Sequence, residues 1–129
     1  MVLNGLAADP SERYLVINAN ETSKTRLFSV PLEGGAEREI KMDPTQPLMG
    51  TWWLFPNSVS ADGRLLFPLQ PLDSWFSPIG LIDTATGRVT RVASDDLSDY
   101  RSMAWLPDGR ILALRVGLRS TLWKFQSRK

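Results

Sequence analysis

Most side chains here that could do chemistry are carboxylates, because the 129-residue chain holds no histidine and no cysteine. That excludes a Ser-His-Asp or Cys-His relay, an imidazole or thiolate zinc site, and a disulfide. Carboxylate pairs, lysine, tyrosine and oxygen-ligated metals stay open. The densest acidic group is Ser94–Tyr100 (SDDLSDY), with Asp95, Asp96 and Asp99. Its spacing is not that of an EF-hand, and a solvated acidic loop accounts for it more simply. Ser120 and the other serines lack a basic partner. Gly34-Gly35 belongs to a hairpin, not to a phosphate-binding loop. The sequence therefore points to a protein that catalyses nothing and calls for no cofactor or metal.

A second group of side chains suits binding. Trp75 and Phe76 sit between Asp73-Ser74 and Ser77-Pro78, a segment too polar and proline-rich for a core strand. Large aromatics beside arginine and carboxylates are what protein or small-ligand recognition uses. Trp53, Asp73, Trp75, Phe76, Asp99, Tyr100, Arg101 and Arg119 all fall in the longer connections and form the candidate binding face. Trp53, with Leu54 and Phe55, has the alternative of opening an irregular strand and packing between sheets. Trp105 and Trp123 lie inside apolar runs and are expected in the core.

The elements that position these residues follow from an internal repeat. Asp9-Pro10-Ser11-Glu12-Arg13, Ser60-Ala61-Asp62-Gly63-Arg64 and Leu106-Pro107-Asp108-Gly109-Arg110 each run into an apolar segment, at Tyr14–Ile17, Leu65–Phe67 and Ile111–Leu114. After a variable polar stretch come Leu27–Val30, Ile79–Ile82 and Leu122–Phe125. Two of the three then pass through a turn ending in Gly35 or Gly87 into Arg38–Ile40 and Thr90–Val92. Short runs rich in Val, Ile, Leu, Phe and Trp, punctuated by Pro, Asp, Asn and Gly, are strands. Pro-Asp-Gly closes a tight hairpin, because Pro fixes φ, Asp bonds forward to its own backbone and Gly accepts positive φ.

Each unit thus reads as a four-stranded antiparallel meander, the size of one β-propeller blade. Expected is an all-β chain forming a single repeat domain over residues 1–129, with blades at about 2–42, 50–93 and 101–126 and the third lacking its outer strand. Propellers close with about four to eight blades, so three cannot close alone. Either a second copy completes a six-bladed ring, or the chain is the C-terminal part of a longer propeller. In a meander the tight turns gather at one end. The longer connections, expected at Asn18–Arg26, Lys41–Asn57, Gln70–Pro78, Ala93–Arg101 and Val116–Ser120, gather at the other.

LPDGRILAL (Leu106–Leu114) and LIDTATGRVTRV (Leu81–Val92) resemble the TolB-like, WD-repeat-like β-propeller repeats of bacterial proteins. The likeness covers nearly the whole chain, and the first repeat departs from it, with Ser11-Glu12 where Asp-Gly is usual. The resemblance implies a non-catalytic sensory or scaffold module that recognises a protein or small ligand. Its alternative is a sugar-lactonase-type metal hydrolase, which would imply Asp95, Asp96, Asp99, Asn18 and Asn57 as the candidates for holding a water-activating metal, though no full ligand set with that family's spacing is visible. It also implies a larger parent protein.

Fifteen basic against fourteen acidic residues leave no overall footprint for nucleic acid. The distribution is lopsided: residues 110–129 carry six bases and no acid, whereas residues 1–109 hold nine bases and fourteen acids. Such a basic stretch solubilises an outer edge strand or grips an acidic partner. Apolar runs are only a few residues long, so no membrane span is expected. The start, MVLNGLAADPSER, lacks the features of a signal peptide, which suggests the cytoplasm for the chain as it stands and the periplasm if the parent is exported.

Overall fold

The computed structural model describes residues 2–21, 24–45, 48, 54–92, 98–117 and 121–123, and among these it is all-β with no helix. Nine strands form three antiparallel sheets. The first is a four-stranded meander of β1 (Val2–Ala8), β2 (Tyr14–Glu21), β3 (Lys24–Pro31) and β4 (Arg38–Glu39). The second joins β5 (Arg64–Pro68), β6 (Ile79–Asp83) and β7 (Val89–Arg91), and the third pairs β8 (Ser98–Trp105) with β9 (Ile111–Gly117). No helix of the described residues is long and apolar enough to cross a membrane.

The repeated turns start equivalent strands. Arg13, Arg64 and Arg110 end the three turns and lead into β2, β5 and β9, and each pairs through Nε with an aspartate of its own turn: Asp9 at 3.0 Å, Asp62 at 2.9 Å and Asp108 at 2.7 Å. One backbone bond closes each turn, from the N–H of Glu12, Gly63 or Gly109 to the carbonyl three residues before it, at 2.8–2.9 Å. The Thr84–Gly87 turn closes β6 onto β7, with the Asp83 carboxylate accepting from the N–H groups of Ala85 and Thr86. These bonds, Thr86's first, hold the Asp83 carboxyl below the ordinary aspartate range.

Alternation of side chains across β5 creates two cores. Leu65 and Phe67 point to the first sheet and pack with Val16, Leu27 and Ile40, whereas Leu66 points the other way, to Ile79 and Met103. All three β5 leucine and phenylalanine side chains are buried, so the second sheet is covered on both faces. Two polar seams tie the first sheet to the second. Tyr14 donates its hydroxyl proton to Thr84 Oγ1 at 2.9 Å, because Thr84 spends its own on the Gly63 carbonyl at 2.8 Å. Arg38 donates to the Thr84 carbonyl at 2.6 Å. Beyond β4, Asp43 exchanges backbone bonds with Gly87 and Val89. Gly87 has φ 79°, and any Cβ there would collide with the Lys41 carbonyl, so this seam requires glycine.

Several expectations are corrected. The four-strand count holds for the first sheet, but the second has three strands and the third two among the described residues. Ahead of β5, the tight turn Phe55–Ser58 occupies the chain, and where a first strand was expected the described residues make the isolated bridges Leu48↔Leu69 and Val59↔Leu65. Residues 121–123 are not strand, and Trp123, expected in the core, is 76% exposed. Asn18–Glu21 and Lys24–Arg26, expected in a loop, are strand: β2 and β3 pair as far as Glu21↔Lys24, with Asn18 buried. Polar cross-strand partners sustain those strands, since Thr25 donates to Asn20 at 2.8 Å and Arg26 reaches both Glu21 and Glu39. Ser98–Arg101 and Val116–Gly117, also expected in loops, lie in β8 and β9, where Ser98–Arg101 pairs with Leu114–Gly117.

Candidate functional site

The segment between β5 and β6 projects from the end opposite the three Arg-bearing turns and is pinned to β8. Ser77 N–H donates to Asp99 Oδ1 at 2.8 Å, and Tyr100 N–H donates to the Ser77 carbonyl at 3.0 Å. Ser74 Oγ accepts from Phe76 N–H at 3.1 Å, tightening the bend. On this anchored segment Trp75 is 98% exposed and Leu72 95% exposed, while Phe76 is half-buried. Asp73, Ser74, Trp75, Phe76 and Arg91 surround a shallow cleft of about 340 Å³. Leu72 borders a larger one of about 740 Å³ between the first and second sheets, whose rim carries Lys24, Arg26, Glu39 and Lys41.

Arg26 and Glu39 form a two-pronged pair across that rim, Nε to Oε1 at 2.9 Å and a terminal nitrogen to Oε2 at 2.7 Å. The guanidinium holds the Glu39 carboxyl below the ordinary glutamate range, first by these hydrogen bonds and then by its charge. Arg26 also lies over the Phe28 ring at 5.0 Å. The rim therefore combines a fixed ion pair with two exposed lysines.

Of the residues that the sequence nominates, Asp73, Trp75 and Phe76 share one cleft. Asp99, Tyr100 and Arg101 lie in β8 rather than in a loop: Asp99 is buried as the anchor of Ser77, and Arg101 meets it at 3.5 Å. Tyr100 packs against the Leu66–Met103 cluster. Trp53 and Arg119, like Asp95 and Asp96, lie outside the described residues. Leu72 and Arg91 are the residues that sequence reasoning missed. Leu72 is an isolated leucine without period, and Arg91 follows a strand pattern, so neither carried a local signal.

At the opposite end the three turns converge around a cleft of about 660 Å³. Its wall includes Asp9, Glu12, Asp62, Arg64 and Trp105, with Pro10, Pro56 and Pro107. Trp105 is held there by its Nε1–H bond to the Arg64 carbonyl at 3.0 Å, and the Arg64 guanidinium stands 5.0 Å from its ring centre. Asp62 lies below the ordinary aspartate range because Ser60 donates a hydrogen bond to it and, next, Arg64 does.

Among the described residues no group of three or more carboxylates is arranged to hold a metal ion. Of the candidate ligands, Asn18 is buried in β2, Asn57 is exposed at a turn, and Asp99 is buried in β8 with its Oδ1 accepting from Ser77. Comparison with protein-family models and with curated protein sequences finds no match to this chain.

Proposed function

We propose that this chain is a non-catalytic binding or scaffold module whose three sheets are blades of a β-propeller of the TolB-like kind, and that its longer-loop end recognises a protein partner. The observation that carries the reading is the pair of fully projecting apolar side chains, Leu72 and Trp75, on a segment that backbone bonds to β8 hold in place. Anchored aromatic and aliphatic side chains next to a cleft lose little conformational freedom on binding and bury a large apolar area. Lys24 and Lys41 at the rim of the larger cleft add a requirement for acidic groups on the partner. The sandwiching of the second sheet between two others supports the blade reading, because a meander that buries both faces does so by stacking on neighbours. The open outer faces are covered by a second copy or by further blades of a longer chain.

A peptide-display selection against the immobilised chain tests the proposal. Enriched peptides should contain acidic residues beside apolar ones, and their affinity should fall about tenfold or more on Trp75→Ala, whose fold should be kept within about 0.5 kcal/mol as for any exposed side chain. Failure to enrich, or binding indifferent to Trp75→Ala and Leu72→Ala, would overturn it.

A further inference from the structure

The edges of the three sheets are not alike. β4 and β7 are only two and three residues long, and β1 is interrupted by a bulge between Leu3 and Gly5. The outer edge of β8 is capped from the second sheet's side, since Tyr100 N–H donates to the Ser77 carbonyl at 3.0 Å and Trp105 N–H to the Asn57 carbonyl at 2.8 Å. Short strands, bulges and covering loops keep sheet edges from pairing with other chains. β9 has none of these: it runs for seven residues, Ile111–Gly117, without proline or lysine, and among the described residues its one strand partner is β8.

The two capping bonds also fix which main-chain groups β9 leaves open. In an antiparallel pair, directly opposite residues either exchange hydrogen bonds or both face away from each other. Tyr100 and Trp105 point their N–H groups away from β9, so their opposites, Arg115 and Ile111, point theirs away from β8. The bulge between Arg101 and Ala104 puts its extra residue in β8, so β9 alternates through it without interruption and Ala113 faces the same way as Ile111. The N–H and C=O groups of Ile111 and Ala113 therefore lie along the open edge, with no hydrogen-bond partner there among the described residues. Leu112 and Leu114 are exposed on one face beside this row, while the Ile111 and Ala113 side chains pack on the other.

The next part of the chain does not cover this edge as a strand: residues 121–123 are not strand, and Leu122 and Trp123 are exposed. A second copy suits it badly. Residues 110–129 carry six bases and no acid, and pairing β9 with β9 would set two such stretches side by side. The same charge favours an acidic visitor. We propose that an extended segment of another protein, alternating apolar and acidic residues, adds to β9 as a third strand. Its main chain bonds to Ile111 and Ala113, its apolar side chains lie beside Leu112 and Leu114, and its acidic ones lie on the face of Arg115. Leu72 and Trp75 take no part, and the proposal does not depend on the loop-end reading.

A capped peptide as long as β9, alternating valine with glutamate, tests the proposal on the isotope-labelled chain. Hydrogen exchange followed by NMR should slow at the Ile111 and Ala113 amides and stay as it was at Leu112 and Leu114, whose N–H groups already face β8. An N-methylated version of the peptide, which keeps the side chains but has no N–H to donate, should bind about tenfold more weakly, and so should a version with lysine for glutamate. Ala113→Pro removes an edge N–H and should weaken binding about tenfold as well, whereas Trp75→Ala should leave it unchanged. Should Ala113→Pro fail to fold, the N-methylated peptide asks the same question of the unaltered chain. Absence of binding, protection that misses Ile111 and Ala113, equal affinity for the N-methylated or the lysine peptide, or binding lost in Trp75→Ala would overturn the proposal.

Discussion

The Arg26–Glu39 pair shows how one residue's protonation is linked to folding. Because the guanidinium favours the carboxylate, the folded-state pKa of Glu39 lies below its unfolded value. Its contribution is complete above the unfolded value and is lost as pH falls through the folded one. Both side chains are about one-third exposed, so solvent screens the pair and its share of stability is small. Urea denaturation of Glu39→Gln should show a modest loss near neutral pH that shrinks towards zero as the pH falls below about 4, where the wild type also loses the charge. A gap between the two proteins that stays constant across that range would contradict this assignment. The pair also illustrates what the sequence conceals. Arg26 and Glu39 are 13 residues apart and meet only because β3 and β4 align Phe28 with Glu39. Asp99 is concealed in the same way, since nothing local distinguishes a solvated aspartate from one that anchors Ser77 across 22 residues. Ser11 and Glu12, by contrast, are open to inspection, because aligning the three turns exposes both as departures from Asp-Gly.

At the scale of elements, β5 is the joint on which the sheets depend. Its neighbours β2 and β8 pack on opposite faces, through Leu65 and Phe67 on one side and Leu66 on the other. The second core is the smaller, and its seam is largely polar. Trp105 N–H bonds to Asn57 at 2.8 Å, and the Ser58 hydroxyl donates to the Met103 carbonyl at 3.3 Å. Met103→Ala should therefore cost about 2 kcal/mol and act locally. Amides of β8 and β9 should exchange faster with solvent, whereas those of β2 and β3 should keep their protection. Uniform acceleration across all three sheets would show that the second core is not separable from the first. The strand starts after Arg13, Arg64 and Arg110 were readable because Pro, Asp and Gly act within a few residues of themselves. The strand ends were not. Asn18, Asn20 and Thr25 look like loop residues until the partner strand supplies their hydrogen bonds and burial.

The whole molecule is a stack with two unlike ends, and both are apolar. On the first sheet Leu6, Ile17 and Phe28 are cross-strand neighbours on the face away from the core, and Leu6 is exposed. On the third sheet Ile111 and Ala113 pack inward against the Leu66–Met103 cluster, which turns Leu112 and Leu114 outward into solvent. Contiguous apolar surface of this sort invites association. The ends differ, so pairing first sheet to third sheet is a head-to-tail contact, and two copies related by a two-fold axis close it into a ring without leaving an end over. Sedimentation equilibrium of the chain should accordingly give twice the monomer mass. Leu114→Lys, which buries a charge in that contact but sits in solvent otherwise, should return the monomer mass without altering the β-sheet circular dichroism. If the wild type instead remains monomeric at the highest attainable concentration, self-completion fails.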